Sequence, residues 1–197
     1  MKKMKSRLLF CIALATLGYT ASAQDRSIKM DVSIGGAMTL GDVKSYGISA
    51  AVEPKYFFNK RIAAGLRLEG DVLFGGKIEA EAQNVDVQMT SRAAQLIKGE
   101  YYLTDGKTRP FIGLMGGRYT QANIGSSSTG SATIKAGVYY GFAPELGVTF
   151  NNFRISGMYH FIPGTDLVTV STGTPIEVER NYFVFTMGFK AFQFNLK

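Results

Sequence analysis

The stretch that decides the fold is Ala143–Gly164, APELGVTFNNFRISGMYHFIPG. Every second residue from Val138 is apolar: Val138, Tyr140, Phe142, Pro144, Leu146, Val148, Phe150. After Asn151-Asn152 the alternation resumes with Phe153, Ile155, Gly157, Tyr159 and Phe161. The other parity carries Tyr139, Gly141, Ala143, Glu145, Gly147 and Thr149, then Arg154, Ser156, Met158 and His160. A period of two is the signature of a β-strand with unlike faces, and two such runs across Asn-Asn read as a hairpin.

The same template runs through the chain. Ile28–Leu40, Gly47–Phe58, Ile62–Phe74, Val85–Leu103, Pro110–Gln121 and Arg180–Phe194 all alternate, and no segment shows a sustained apolar stripe of helical period. With the hairpin, eight strands are predicted. Ile62–Phe74 is the cleanest, with Ile62, Ala64, Leu66, Leu68, Val72 and Phe74 set against Ala63, Gly65, Arg67, Glu69 and Asp71. In Val85–Leu103, Gln95 breaks the greasy parity. Pro110–Gln121 is Gly-rich, and its phase is open. In Arg180–Phe194, Phe183, Phe185, Met187 and Phe189 share one parity and Phe192 and Phe194 the other, so either a bulge or a different phase is required.

Connections alternate in length. Asn59-Lys60, Thr104–Arg109 and Asn151-Asn152 are short; Gly75–Asn84, Asn123–Lys135 and Pro163–Glu179 are longer and polar. Short turns at one end and longer loops at the other is the arrangement of a transmembrane barrel. Both termini are then predicted at the short-turn, periplasmic end. Tyr56, Phe57, Phe58, Tyr101, Tyr102, Phe111, Phe150, Phe153, Phe192 and Phe194 gather there and read as an interfacial girdle.

Alternation does not say which parity is inside; a soluble lipocalin-like ligand binder alternates too, with the apolar side inward. The glycines discriminate. A water-facing strand has no need of Gly35, Gly65, Gly141 or Gly147, which weaken strands. A narrow polar lumen needs small residues so that long charged side chains from opposite walls can fit. The interior is therefore predicted to hold a charge network of Arg67, Glu69, Asp71, Arg92, Lys98, Glu100, Arg118, Glu145, Arg154 and His160, with the greasy parity toward lipid. Acids and bases are about equal in this set, so they are expected to pair and plug the lumen of a barrel narrow enough for side chains to fill.

The first residues address location. Lys2, Lys3, Lys5 and Arg7 precede an apolar run from Leu8 to Gly18, too short to span a bilayer, and Ala21-Ser22-Ala23 fits a cleavage site. Residues 1–23 read as a secretory signal peptide and residues 24–197 as one domain. Cys11 follows Phe10 within the apolar run, which does not fit a lipid anchor, and the mature chain has no thiol. Taking the signal's four positive charges from the chain's +7 leaves +3 on 18 basic and 15 acidic side chains, a balance that gives no reason to invoke nucleic acid.

These features, with the motif RPFIGLMGGRY at Arg109–Tyr119, resemble the small outer-membrane β-barrels of Gram-negative bacteria, the group around the OmpA transmembrane domain, OmpX and OmpW. The resemblance implies an all-β, eight-stranded antiparallel up-and-down transmembrane β-barrel in the cell outer membrane, a monomer among outer-membrane lipid, inserted by the barrel-assembly machinery. The end departs from the pattern: Phe194 is followed by Asn195-Leu196-Lys197, whereas such barrels end on an aromatic residue, and no peptidoglycan-binding domain follows.

No catalytic, cofactor-binding or metal set is read. His160 lacks a nearby serine and orienting carboxylate in sequence, its parity points it into the lumen, and one histidine without a mature cysteine leaves only carboxylates for a metal. Gly113–Gly117 lacks the Gly-Lys-Ser/Thr ending of a phosphate loop. The sequence favours a structural or surface barrel with exposed loops. A narrow OmpW-like channel for small molecules is the alternative, and the soluble lipocalin-like binder comes third.

Overall fold

A computed structural model describes residues 26–39, 44–74, 77–80, 83–86, 89–126, 132–169 and 175–196. The signal-peptide reading and the polar stretch Ser127–Ser131 lie outside them. Twelve strands occur among the described residues: β1 (Ser27–Thr39), β2 (Tyr46–Phe57), β3 (Ile62–Phe74), β4 (Lys77–Ala80), β5 (Gln83–Asp86), β6 (Met89–Tyr102), β7 (Thr108–Ser126), β8 (Ala132–Phe150), β9 (Phe153–His160), β10 (Thr165–Thr169), β11 (Pro175–Glu179) and β12 (Tyr182–Asn195). Eight of them close a barrel in the order β1-β12-β9-β8-β7-β6-β3-β2, and every pairing is antiparallel. The fold is a closed up-and-down β-barrel.

The remaining four strands correct the expected loops. β4 pairs with β5 and β10 with β11, so the segments read as loops at Gly75–Asn84 and Pro163–Glu179 carry two-stranded ribbons. Likewise β7 and β8 stay paired from Thr108↔Phe150 to Ser126↔Ala132, taking in most of the expected loop at Asn123–Lys135. The ribbon strands are only four or five residues long, so hydrophobic periodicity has little length in which to mark them.

Ser27 pairs with both Asn195 and Phe57, which puts the two ends of the described chain beside the short turns. The open phase of the last strand resolves as a bulge. Asp31 pairs with Lys190 and Met30 with Phe192, so Ala191 is the extra residue that moves Phe192 and Phe194 to the outer face. Prolines interrupt two ladders. The β2–β3 register stops at Val52↔Leu68 and resumes at Lys55↔Gly65 around Pro54. The β8–β9 register stops at Glu145↔Met158, next to Pro144, and pairing returns at Phe142↔Phe161. Proline has no N–H to donate.

The exposed wall is apolar. Ile34, Ile48, Leu66, Leu68, Ile97, Leu114, Leu146, Phe185 and Met187 all point outward, while the charged parity is buried. The aromatic girdle is corrected in part. Phe58, Tyr101, Phe150, Phe153, Phe192 and Phe194 are exposed at the short-turn end, but Phe57, Tyr102 and Phe111 are buried and pack together inside the barrel.

The glycine rationale also changes. A Cβ on Gly35 would stand 1.9 Å from the Phe185 carbonyl oxygen, one on Gly65 2.4 Å from that of Pro54, and one on Gly141 2.2 Å from that of Phe161. The obstacle is the backbone of the adjacent strand, where the strongly coiled wall brings strands close, and not a charged side chain from the opposite wall. Outward-facing Gly70 has no atom within 4 Å of its Cβ position. Gly35→Ala is therefore expected to lower unfolding stability by about 1–3 kcal/mol, whereas Gly70→Ala stays within about 0.5 kcal/mol of the native chain, read by urea titration of the refolded barrel.

Candidate functional site: the charged interior

Inward parity from neighbouring strands stacks charged side chains in the lower and middle barrel. Lys55 of β2 lies 2.5 Å from Asp31 of β1, 3.2 Å from Glu53 and 3.3 Å from Glu100 of β6. Lys98 of β6 reaches Glu53 at 2.9 Å, Glu100 at 2.9 Å and Glu145 of β8 at 2.6 Å. Arg154 of β9 donates to Glu100 at 2.7 Å and to Glu145 at 2.8 Å. Arg67 of β3 joins Glu53 to Glu69, donating its Nε–H to Glu69 at 2.6 Å. Each cation thus touches at least two carboxylates, so the arrangement is a lattice and not a set of discrete pairs.

Above the lattice, Glu69 lies 3.4 Å from His160 Nε2 and accepts from the Tyr182 hydroxyl at 3.3 Å. His160 stacks on Tyr182 with ring centroids 4.2 Å apart, and its Nδ1 is 3.0 Å from the Tyr119 hydroxyl. Arg92 lies over the Tyr182 ring and donates to Gln121. Asp71 is buried on the same face of β3. Apolar residues pack between these groups in the upper barrel: Leu73, Leu96, Met115, Met158, Ile162 and Val184.

Below the lattice, Tyr102 donates to Glu100 at 2.8 Å and packs between Phe57 and Phe111. Arg154 lies 3.9 Å from the Phe111 ring centre, Arg109 4.0 Å from that of Tyr102, and Lys29 4.0 Å from that of Phe57. A cavity of about 40 Å³ at the short-turn mouth is floored by Arg154 and rimmed by Lys29, Arg109 and Lys190. Outside the barrel, Arg61 and Asp105 join two short turns through paired contacts of 3.0 and 3.2 Å. The Arg61 hydrogen bond holds the Asp105 carboxyl below its ordinary range.

Nine of the ten side chains assigned to the interior from the sequence lie there: Arg67, Glu69, Asp71, Arg92, Lys98, Glu100, Glu145, Arg154 and His160. Arg118 does not. It pairs with Gln95 on β6 and Tyr140 on β8, both outward positions, and is itself exposed on the outer wall. The buried residues of β7 are Phe111, Met115, Tyr119 and Gln121. The reading missed Asp31, Glu53 and Lys55. Glu53 and Lys55 share parity with Ser49 and Ala51, so period two alone could have found them. What period two could not supply is the strand stagger that sets Lys55 against Glu100 and Glu53 against Lys98.

Among the described residues the buried charges are Glu53, Glu69, Asp71, Glu100 and Glu145 against Lys55, Arg67, Arg92, Lys98 and Arg154, and the partly exposed Asp31 adds one more carboxylate beside Lys55. Arg67 is fully buried. His160, Tyr119 and Glu69 are likewise buried, with His160 touching both of the others, while the Ser156 hydroxyl bonds to Thr186. Among the described residues no His, Cys, Asp and Glu side chains form a set fit for a metal ion.

The sequence matches no protein-family model and no curated protein. Among solved structures, the chain is similar to the outer membrane protein OprG from Pseudomonas aeruginosa, with a TM-score of 0.57 and 12% identity over 88% of this chain and 99% of that one. The chain has the fold of an outer membrane β-barrel. It is also similar to Neisserial surface protein A, at 14% identity over 89% of this chain and 98% of the other with a TM-score of 0.46. The N-terminal β-barrel domain of Pseudomonas aeruginosa OprF matches at 12% identity over 87% and 99%, with a TM-score of 0.43. At these identities the likeness concerns the fold.

Removing one member of a buried lattice strands its partners. Glu100→Ala leaves Lys55, Lys98 and Arg154 short of a carboxylate and is expected to lower stability by about 3–5 kcal/mol. Asp105→Ala, at the exposed pair, is expected to leave the unfolding midpoint in place. Equilibrium unfolding in lipid vesicles compares the two.

Proposed function

We propose that the chain is an integral outer membrane barrel, not an enzyme, whose interior is plugged by its own charged side chains and whose role is structural or surface-directed through the long-loop end. The observation that carries this reading is the inversion of the two faces: greasy side chains cover the outside, and a lattice of paired acids and bases lies inside. Such an exterior suits hydrocarbon, and only a closed ladder satisfies the backbone there. Among the described residues His160 meets Tyr119, Glu69 and Tyr182 and is fully buried away from lipid, which favours a non-catalytic barrel.

A second reading, a narrow route for small molecules, draws support from the apolar residues of the upper interior around Leu73, Leu96, Ile162 and Val184. In that reading the upper lumen would receive a small apolar solute and the lattice below would close the aqueous path.

Outer-membrane fractionation followed by heat-modifiability on a gel tests residence; a chain found in the soluble fraction with unshifted mobility overturns it. Planar-bilayer recordings test the plug. The native barrel is expected to be silent, while Arg67→Ala and Glu145→Ala flicker open. A large steady native conductance would promote the channel. Protease on intact cells is expected to cut at the long-loop end and to spare Asn59-Lys60 and Asn151-Asn152.

A further inference from the structure

Among the described outward positions of the eight barrel strands, Arg118 is the only formally charged side chain. It has no ion-pair or hydrogen-bond partner among the described residues. We infer that Arg118, with Gln95 and Tyr140 beside it, forms a site on the outer wall for the phosphate of a membrane lipid. This rests on the reading of the chain as a membrane barrel.

Height is the first argument. Arg118 lies ten residues along β7 from Thr108 at the short-turn mouth. At about 3.3 Å per residue and a strand tilt of about 40°, that is roughly 25 Å, the height of the apolar band of such barrels. A cation there stands at the boundary between hydrocarbon and headgroups on the long-loop side, where lipid phosphates lie.

Chemistry is the second. A guanidinium matches a phosphate in shape and charge and binds it through two parallel N–H bonds. Gln95 and Tyr140 are its direct cross-strand neighbours, on opposite sides, and both are exposed. Facing residues in antiparallel strands have Cβ atoms about 5 Å apart, so an amide N–H and a phenol O–H flank the guanidinium within reach of one phosphate. These three polar residues interrupt an otherwise greasy surface at one level.

Relief is the third. Immediately below Arg118 on the outer face of β7 is Gly116, paired with Ile97 on one side and Phe142 on the other. Ile97 is 72% exposed and Phe142 48%, so they stand as two ridges. A Cβ on Gly116 would meet nothing closer than 3.5 Å. Diagonally below, outward Gly99 has nothing within 4 Å of its Cβ position. The result is a furrow leading from Arg118 into the apolar band, shaped for an acyl chain whose phosphate stays on the arginine.

Native mass spectrometry of the refolded full-length barrel in dodecyl maltoside tests the site, with lipid A bearing its phosphates and the same lipid dephosphorylated as probes. The native chain is expected to retain the phosphorylated lipid about tenfold better, a difference of about 1.4 kcal/mol. Arg118→Gln should bring the two lipids level, Arg118→Lys should keep only part of the preference, and Gly116→Val should weaken retention of both. Retention that ignores the phosphates, or that survives Arg118→Gln, overturns the site. So does a dimer that Arg118→Gln dissolves, because the arginine would then serve a second copy of the chain. Heat-modifiable mobility of the same protein in phosphatidylcholine vesicles reports insertion separately. A barrel that inserts yet ignores phosphate loses only the lipid site, whereas one that fails to insert overturns both readings.

Discussion

Everything in this barrel depends on where its backbone hydrogen bonds close. A sheet with free edges leaves a row of donors and acceptors unmet, and in hydrocarbon each unmet group is costly. Joining β1 to β12 removes both edges at once. Closure then dictates the rest. The wall must coil, so adjacent backbones approach closely at Gly35, Gly65 and Gly141, where no side chain fits. With eight strands the interior is too narrow to be left empty, and side chains must fill it.

Much of the filling is ionic. A buried charge is tolerated when its neighbours neutralise it and complete its hydrogen bonds, and a half-satisfied set is worse than an apolar core. Here Lys98 and Lys55 each meet three carboxylates, and Tyr102 and Tyr182 donate to Glu100 and Glu69. The lattice cross-braces β1, β2, β3, β6, β8 and β9 through side chains, in addition to the ladders at their edges. It grades upward toward Leu73, Leu96, Ile162 and Val184 and downward toward Phe57, Tyr102 and Phe111, with Arg154 reaching the cavity at the short-turn mouth.

Much of this was legible in the sequence because a strand advertises its two faces locally. Ile62–Phe74 needed no tertiary information to be placed from end to end. Failures came where the signal is weak or non-local. Arg118 sits in a Gly-rich strand whose outward row, Ile112, Leu114, Gly116 and Arg118, mixes residue types, so charge alone suggested the wrong face. The extra residue at Ala191 shifts phase in mid-strand, and only pairing with β1 reveals it. Asp31, Glu53 and Lys55 were on the charged parity, but which groups they meet depends on strand stagger that the sequence does not give. The ribbons β4–β5 and β10–β11 have strands of only four or five residues, which give a period of two little length in which to show.

The β1–β12 seam also has a kinetic side. Every other barrel pairing joins strands consecutive in the barrel wall and near in the chain, whereas Ser27 meets Asn195 across almost the whole length of the protein. Loop-closure entropy is thus concentrated in one seam, while the other seven ladders can zip as local hairpins. Until the last strand arrives, β1 and β12 are two open edges capable of pairing with any passing strand. Since the two ends already lie side by side at the short turns, a chain circularly permuted there would keep its contacts and move that late step to another seam.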